Sequence, residues 1–181
     1  MAVYYQDSCE SGQEDHFCDP CSPGELGRIR SVAFVKKSYT FADPTSKVEW
    51  QTAVAAGNVI VIAEVNGSFD GGSPKTAPGY GDNATEMMGY DFKLSFKDPN
   101  YKQNVGFYNT LKNSRKWRLC YRTETQIHFS TNTCAVLPKT PVTDDISAKI
   151  HVEVEVQWSD RDLPLPHDMP EDIFSCFLLT A

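Results

Sequence analysis

The chain has 181 residues, of which 40% are hydrophobic and 23% charged, and a formal net charge of -7. That length suits one domain, able to bury about two-thirds of its unfolded surface without help from a metal or a disulfide. The negative balance argues against gripping a phosphate backbone over the whole surface, and no apolar run approaches the ~18 residues that a membrane span needs.

Residues 1–27 show no periodic apolar pattern and hold three of the six cysteines, so they read as an extended Cys-rich arm. "MAVYYQDSCE" has neither a basic nor an apolar leader region, and synthesis in a reducing cytoplasm is the expectation. "CESGQEDHFCDPC" places Cys9, His16, Cys18 and Cys21 within thirteen positions. Cys18 and Cys21 have the spacing of half a structural zinc site, and Cys9, His16 and Cys176 are the candidates to complete it. Thiols without a ligand and a disulfide or redox pair are the other readings of the same residues.

A β-rich body follows from residue 28 to 158. "IRSVAFVKKSYTF" reads as a strand, and "DPTSKVEWQTAVAAG" as a helix capped by Asp43, opened by Pro44 and stopped by Gly57. Val48, Trp50, Ala53 and Val54 are its expected buried stripe. "NVIVIAEV" reads as a buried strand. Asn66 to Gly89 carries six glycines and two prolines and is expected to be one long irregular loop, which in a compact domain serves function or reaches a partner. "YDFKLSF" alternates Phe92, Leu94 and Phe96 with polar residues, as a half-buried strand does. "DPNYKQNVGFYNTLKNSRK" repeats the helix signature, with Asp98 as cap and Tyr101, Val105, Tyr108 and Leu111 on one face. "WRLCYRT" and "QIHFS" read as paired strands, with Cys120 and Cys134 as small buried apolar residues. "AKIHVEVEVQW" points Ile150, Val152, Val154, Val156 and Trp158 to one face. Residues 159–181 read as a Pro-rich acidic tail. The fold expected is mainly β (α+β), a β-sandwich or barrel-like body with two short flanking helices, one long loop and extended termini.

"FADPTSK" at 41–47 and "FKDPNYK" at 96–102 match at Phe, Asp, Pro and Lys with an offset of 55 residues. Two readings are open: a duplicated strand–helix–strand unit, or the shared need for a cap and a proline. The basic stretch "KNSRKWR" (Lys112, Arg115, Lys116, Arg118) reads as a helix C-terminus.

Catalytic signatures are missing from the sequence. It contains no phosphate-binding G-x-x-x-x-G-K-[ST] loop, no G-x-S-x-G elbow and no calcium loop. His151, Glu153 and Glu155 share one face, but alternate strand residues stand ~7 Å apart and read as a solvated charged face rather than a hydrolase centre. The expectation is that the protein is not an enzyme.

"GRIRSVAFVKKSYTFADPTSKVEWQTAVAAGNVIVIAEVNGSFDGGSPKTAPGYGD" and "GYDFKLSFKDPNYKQNVGFYNTLKNSRKWRLCYRTETQIHF" resemble virion structural proteins of the crAss-like bacteriophages of Bacteroides-type gut bacteria, of the tail-tube and neck-ring type. The resemblance covers about Leu26 to Asp160 and lies in overall texture rather than in a short motif. It implies a tail-tube-like domain that forms a homo-oligomeric ring, with neighbouring virion proteins as partners and genome DNA only passing through the channel. The implied location is the virion, tail or neck, assembled in the host cytoplasm, with no membrane contact. The 66–89 stretch, with Asp70, Gly71, Gly72 and Tyr80, is then the candidate subunit contact. The two terminal segments are candidates for contact with other virion proteins. Alternatives are a capsid decoration or head-fibre protein, or a small zinc-binding interaction module.

Overall fold

The computed structural model describes residues 27–81, 85–112, 114–142, 144, 149–175 and 178–179. They form two antiparallel five-stranded sheets and two helices, a mainly β sandwich of the expected class. The first sheet has the order β10 (Pro166–Asp168), β7 (Gln126–Phe129), β6 (Trp117–Arg122), β1 (Ser31–Lys36), β2 (Val59–Ile62). In the second, β5 (Thr85–Asp98) and β9 (Val152–Asp160) are central and β8 (Ala135–Lys139) is an edge. β3 (Asn66–Phe69) and β4 (Ser73–Pro78) share the other flank of β5, opposite Leu94–Lys97 and Thr85–Asp91 respectively.

Two cores explain why β1 lacks alternation. Val32 and Phe34 face the second sheet, where they meet Phe92, Leu94, Phe96, Val154 and Val156. Ala33 and Val35 face outward, where α1 (Lys47–Ala55) lays Trp50 and Ala53 on them. A strand buried on both faces must be apolar throughout. β9 is covered on one face only and alternates as expected from Val152 to Trp158. Ile150 precedes the strand and is 46% exposed, so the expected stripe starts one position later, at Val152.

Both helices form where expected but start later than the Asp caps imply. At α1 the N-cap is Ser46; Asp43 accepts hydrogen bonds from the Thr45 amide (2.9 Å) and hydroxyl (2.6 Å). Glu49 reaches back to the amides of Ala42 (2.7 Å) and Asp43 (2.8 Å) and locks the entry turn. Val48, expected in the stripe, is exposed; Trp50 and Ala53 are buried. At α2 (Tyr101–Leu111) the N-cap is Asn100, and Tyr108 and Leu111 are buried. Asp98 is itself buried and accepts from the Asn100 amide (2.8 Å), the Asn104 side-chain amide (2.8 Å) and the Tyr108 hydroxyl (2.9 Å). Burial, and then the Asp98 charge, push the Tyr108 phenol well above its ordinary range.

The matching Asp-Pro segments are therefore one turn chemistry used twice. In each, the Asp carboxylate takes the amide two residues on, as an Asx turn does. The surrounding topology differs. β1 and β2 on either side of α1 pair directly, whereas α2 carries the chain from β5 in one sheet to β6 in the other. Turn geometry, not a repeated unit, accounts for the match.

Two expectations are corrected. The stretch 66–89 is not an irregular loop: it contains β3, β4 and the first residues of β5. The segment from 159 does not leave the body as a tail. Ser159 and Asp160 end β9, Pro166–Asp168 form β10, and Ile173, Phe174 and Leu178 are buried, the first two against Trp50's core. β8 has no counterpart in the sequence reading. Its Pro138 removes a ladder donor, which only an edge strand tolerates.

Candidate assembly surface

β9 pairs with β5 only from Tyr90 onward. Before that point β4 is the one strand neighbour of β5 among the described residues, with Thr76 opposite Met87, Ala77 opposite Glu86 and Pro78 opposite Thr85. β4 and the start of β5 thus form a two-stranded arm that runs past the end of β9. The register shifts between Lys75 and Thr76, which leaves Met88 as an extra residue on β5. Such a bulge bends and twists a ribbon. Gly89 sits beside it with φ 136°, and a Cβ there would lie 2.7 Å from the Asp160 carbonyl oxygen. Only glycine lets the arm leave the body so close to β9.

The arm displays apolar side chains to solvent. Tyr80 is 90% exposed, Met88 63% and Met87 52%. A two-stranded ribbon is marginal by itself. This one is anchored at its base. Asp70 accepts from the amides of Gly72 (2.9 Å) and Lys93 (3.1 Å), and its own amide donates to the Lys93 carbonyl (3.1 Å). Gly71 and Gly72 turn the chain with φ of 81° and 90°. A Cβ on Gly72 would lie 2.4 Å from the Phe92 ring. Of the four residues predicted for subunit contact, Asp70, Gly71 and Gly72 therefore build the arm's base, and Tyr80 lies at its exposed end. Met87 and Met88 add to the exposed apolar surface and are not predicted by the sequence. The signal available was an unexplained Met-Met pair beside a glycine.

A second anchor crosses three strands. Lys75 on β4 pairs with Asp91 on β5 at 2.7 Å, and the Ser159 hydroxyl of β9 donates to the same carboxylate. The hydrogen bond from Lys75, then that from Ser159, hold Asp91 below its ordinary 3.8. Because folding lowers this pKa, the anchor is complete above the ordinary value and is lost as pH falls through the depressed one. The Asp91 carboxyl is expected to titrate below 3.8 by NMR, and Lys75→Met should move its midpoint back upward. Amide exchange in the arm should quicken over the same acid range.

The remaining site candidates separate clearly. Cys9, His16, Cys18, Cys21 and Cys176 lie outside the described residues. Among the described residues no group of three or more His, Cys, Asp or Glu is placed to hold a metal. Cys120 and Cys134 are buried, as expected; burial pushes both thiols up, Cys134 to about 12. Glu153 and Glu155 pair with Lys139 (3.3 Å) and Lys93 (2.8 Å), so these acids form the expected charged face. In the basic stretch, Lys112 is the C-cap of α2 and Arg118 donates to the Tyr39 carbonyl from β6. No family model, curated protein or solved structure matches this chain.

Proposed function

We propose that this protein is a bacteriophage virion structural protein, a tail or neck subunit that assembles with copies of itself into a ring or tube around the DNA channel. The observation that carries the reading is the arm: a ribbon projecting past the sandwich, firmly anchored at its base, with Tyr80, Met87 and Met88 exposed. An arm that seats on a different surface of the next copy makes a head-to-tail contact, and such contacts close into rings when the rotation between neighbours closes. The net charge of -7 supports the same reading, because an acidic wall lets DNA slide without sticking. The role is structural rather than catalytic, and the neighbouring proteins of the particle are the other partners. Light scattering and negative-stain microscopy of the full chain, alone and with its virion partners, test this directly. Rings or stacked rings are expected; a strict monomer under all these conditions counts decisively against the reading.

A further inference from the structure

At the opposite end of β5 from the arm, residues of both sheets line an open cleft of about 690 Å³. Its wall gathers residues from six separate segments. Arg28 and Arg30 come from the entry to β1, Lys97 from the end of β5, Arg122 from the end of β6, and Lys149 and His151 from the approach to β9. Five Lys or Arg side chains face one carboxylate, Glu64, in a chain whose overall charge is negative.

Protein partners satisfy only part of this charge. Arg30 pairs with Glu124 at 3.2 Å, and Arg28 donates to the Asn66 side-chain carbonyl at 3.2 Å. Lys97, Arg122 and Lys149 form no ion pair among the described residues. Lys97 stands opposite Glu153, but Glu153 turns to Lys139 instead. Among the described residues, Arg122 Nε and His151 Nε2 are buried and have no hydrogen-bond partner. The His151 Nδ1 is engaged with the Lys149 carbonyl at 3.1 Å. Buried polar atoms are ordinarily paired, and a guanidinium is a fixed fork suited to oxyanions.

We propose that this cleft binds a small molecule bearing a phosphate or pyrophosphate group. A single carboxylate would answer one cation, whereas a multiply charged phosphate group can accept from several at once. The volume falls within the ~300–1,000 Å³ of small-molecule sites. Val65, Ile150 and Phe174 supply an apolar wall beside the cations, which suits a ligand with an uncharged ring or chain attached to its phosphates. The site is independent of the arm and does not depend on the assembly reading.

Isothermal titration of the full chain with inorganic pyrophosphate and with ATP, in phosphate-free buffer, tests the proposal. Saturable binding is expected, weakening with added salt. Arg122→Gln should reduce affinity by about tenfold, because it removes a charged donor. Lys97 and Lys149 are exposed, so Lys97→Gln/Lys149→Gln should leave the melting transition unchanged. This double variant, which decides the matter if Arg122→Gln fails to fold, should also weaken binding by about tenfold. Absence of binding to either ligand overturns the proposal, and so does affinity unaltered in the double variant. Binding of a short oligothymidylate with no binding of pyrophosphate or ATP overturns it as well, since that result assigns the cations to a nucleic-acid backbone.

Discussion

Trp50→Ala is expected to destabilise the protein by about 4 kcal/mol, lowering the melting temperature by roughly 12 °C. Trp50 is fully buried on the outer face of the first sheet. It lies among Phe41, Phe129 and Phe174, with ring centroids at 4.6, 6.2 and 5.8 Å. Its indole N–H donates to the Pro44 carbonyl at 2.8 Å, which ties α1 to its own entry turn. Truncation leaves a large cavity between an α-helix and a sheet that cannot close without moving one of them. Trp50→Phe retains much of the packing but loses that hydrogen bond and part of the ring, so about 2 kcal/mol is expected. Thermal or urea unfolding of both variants measures the difference. The alanine variant should also expose the C-terminal segment to proteolysis near Phe174, because the same pocket seats Ile173 and Phe174.

That pocket marks a boundary of what the sequence makes legible. Trp50 and Ala53 could be assigned to the core from helical spacing, and β9 from the alternation of Val152, Val154, Val156 and Trp158. In both cases one face is buried and the other is not, so burial writes a period into the chain. Ile173 and Phe174 belong to no regular element, and their burial leaves no period among the prolines and acids around them. β4 fails for the complementary reason. Its residues are almost all exposed, so there is no apolar face to alternate, and Pro74 and Pro78 read as strand breakers. An outer strand tolerates prolines that a central strand would reject. The six cationic or imidazole residues of the proposed phosphate site are spread from Arg28 to His151. Only the convergence of strand ends brings them together, and no local spacing announces it. The bulge at Met88 is equally silent, because register is set jointly by two strands and not by either alone.

The Met87→Asp/Met88→Asp double variant is expected to abolish the proposed self-assembly while leaving the folded subunit intact. Both side chains are more than half exposed, so the substitutions should shift subunit stability by only about 0.5 kcal/mol each. In an assembled ring the same side chains would be covered. Burying a methionine is worth roughly 1.5–3 kcal/mol, and placing an uncompensated carboxylate at that position costs more. A loss of about 4 kcal/mol per contact weakens each contact by roughly a thousandfold, and a closed ring loses it at every contact. Leu165 provides the matched control: it is 73% exposed and lies outside the arm. Leu165→Asp replaces one exposed apolar side chain with the same carboxylate and should assemble like the unaltered chain. Light scattering across a concentration series separates the outcomes. Rings from the double variant at the unaltered chain's concentration would remove the arm as the contact. Equal loss from Leu165→Asp would show that general surface apolarity, rather than the anchored ribbon, holds copies together. A change confined to the double variant locates the contact at Met87 and Met88, where the bulge and Gly89 turn the ribbon away from β9.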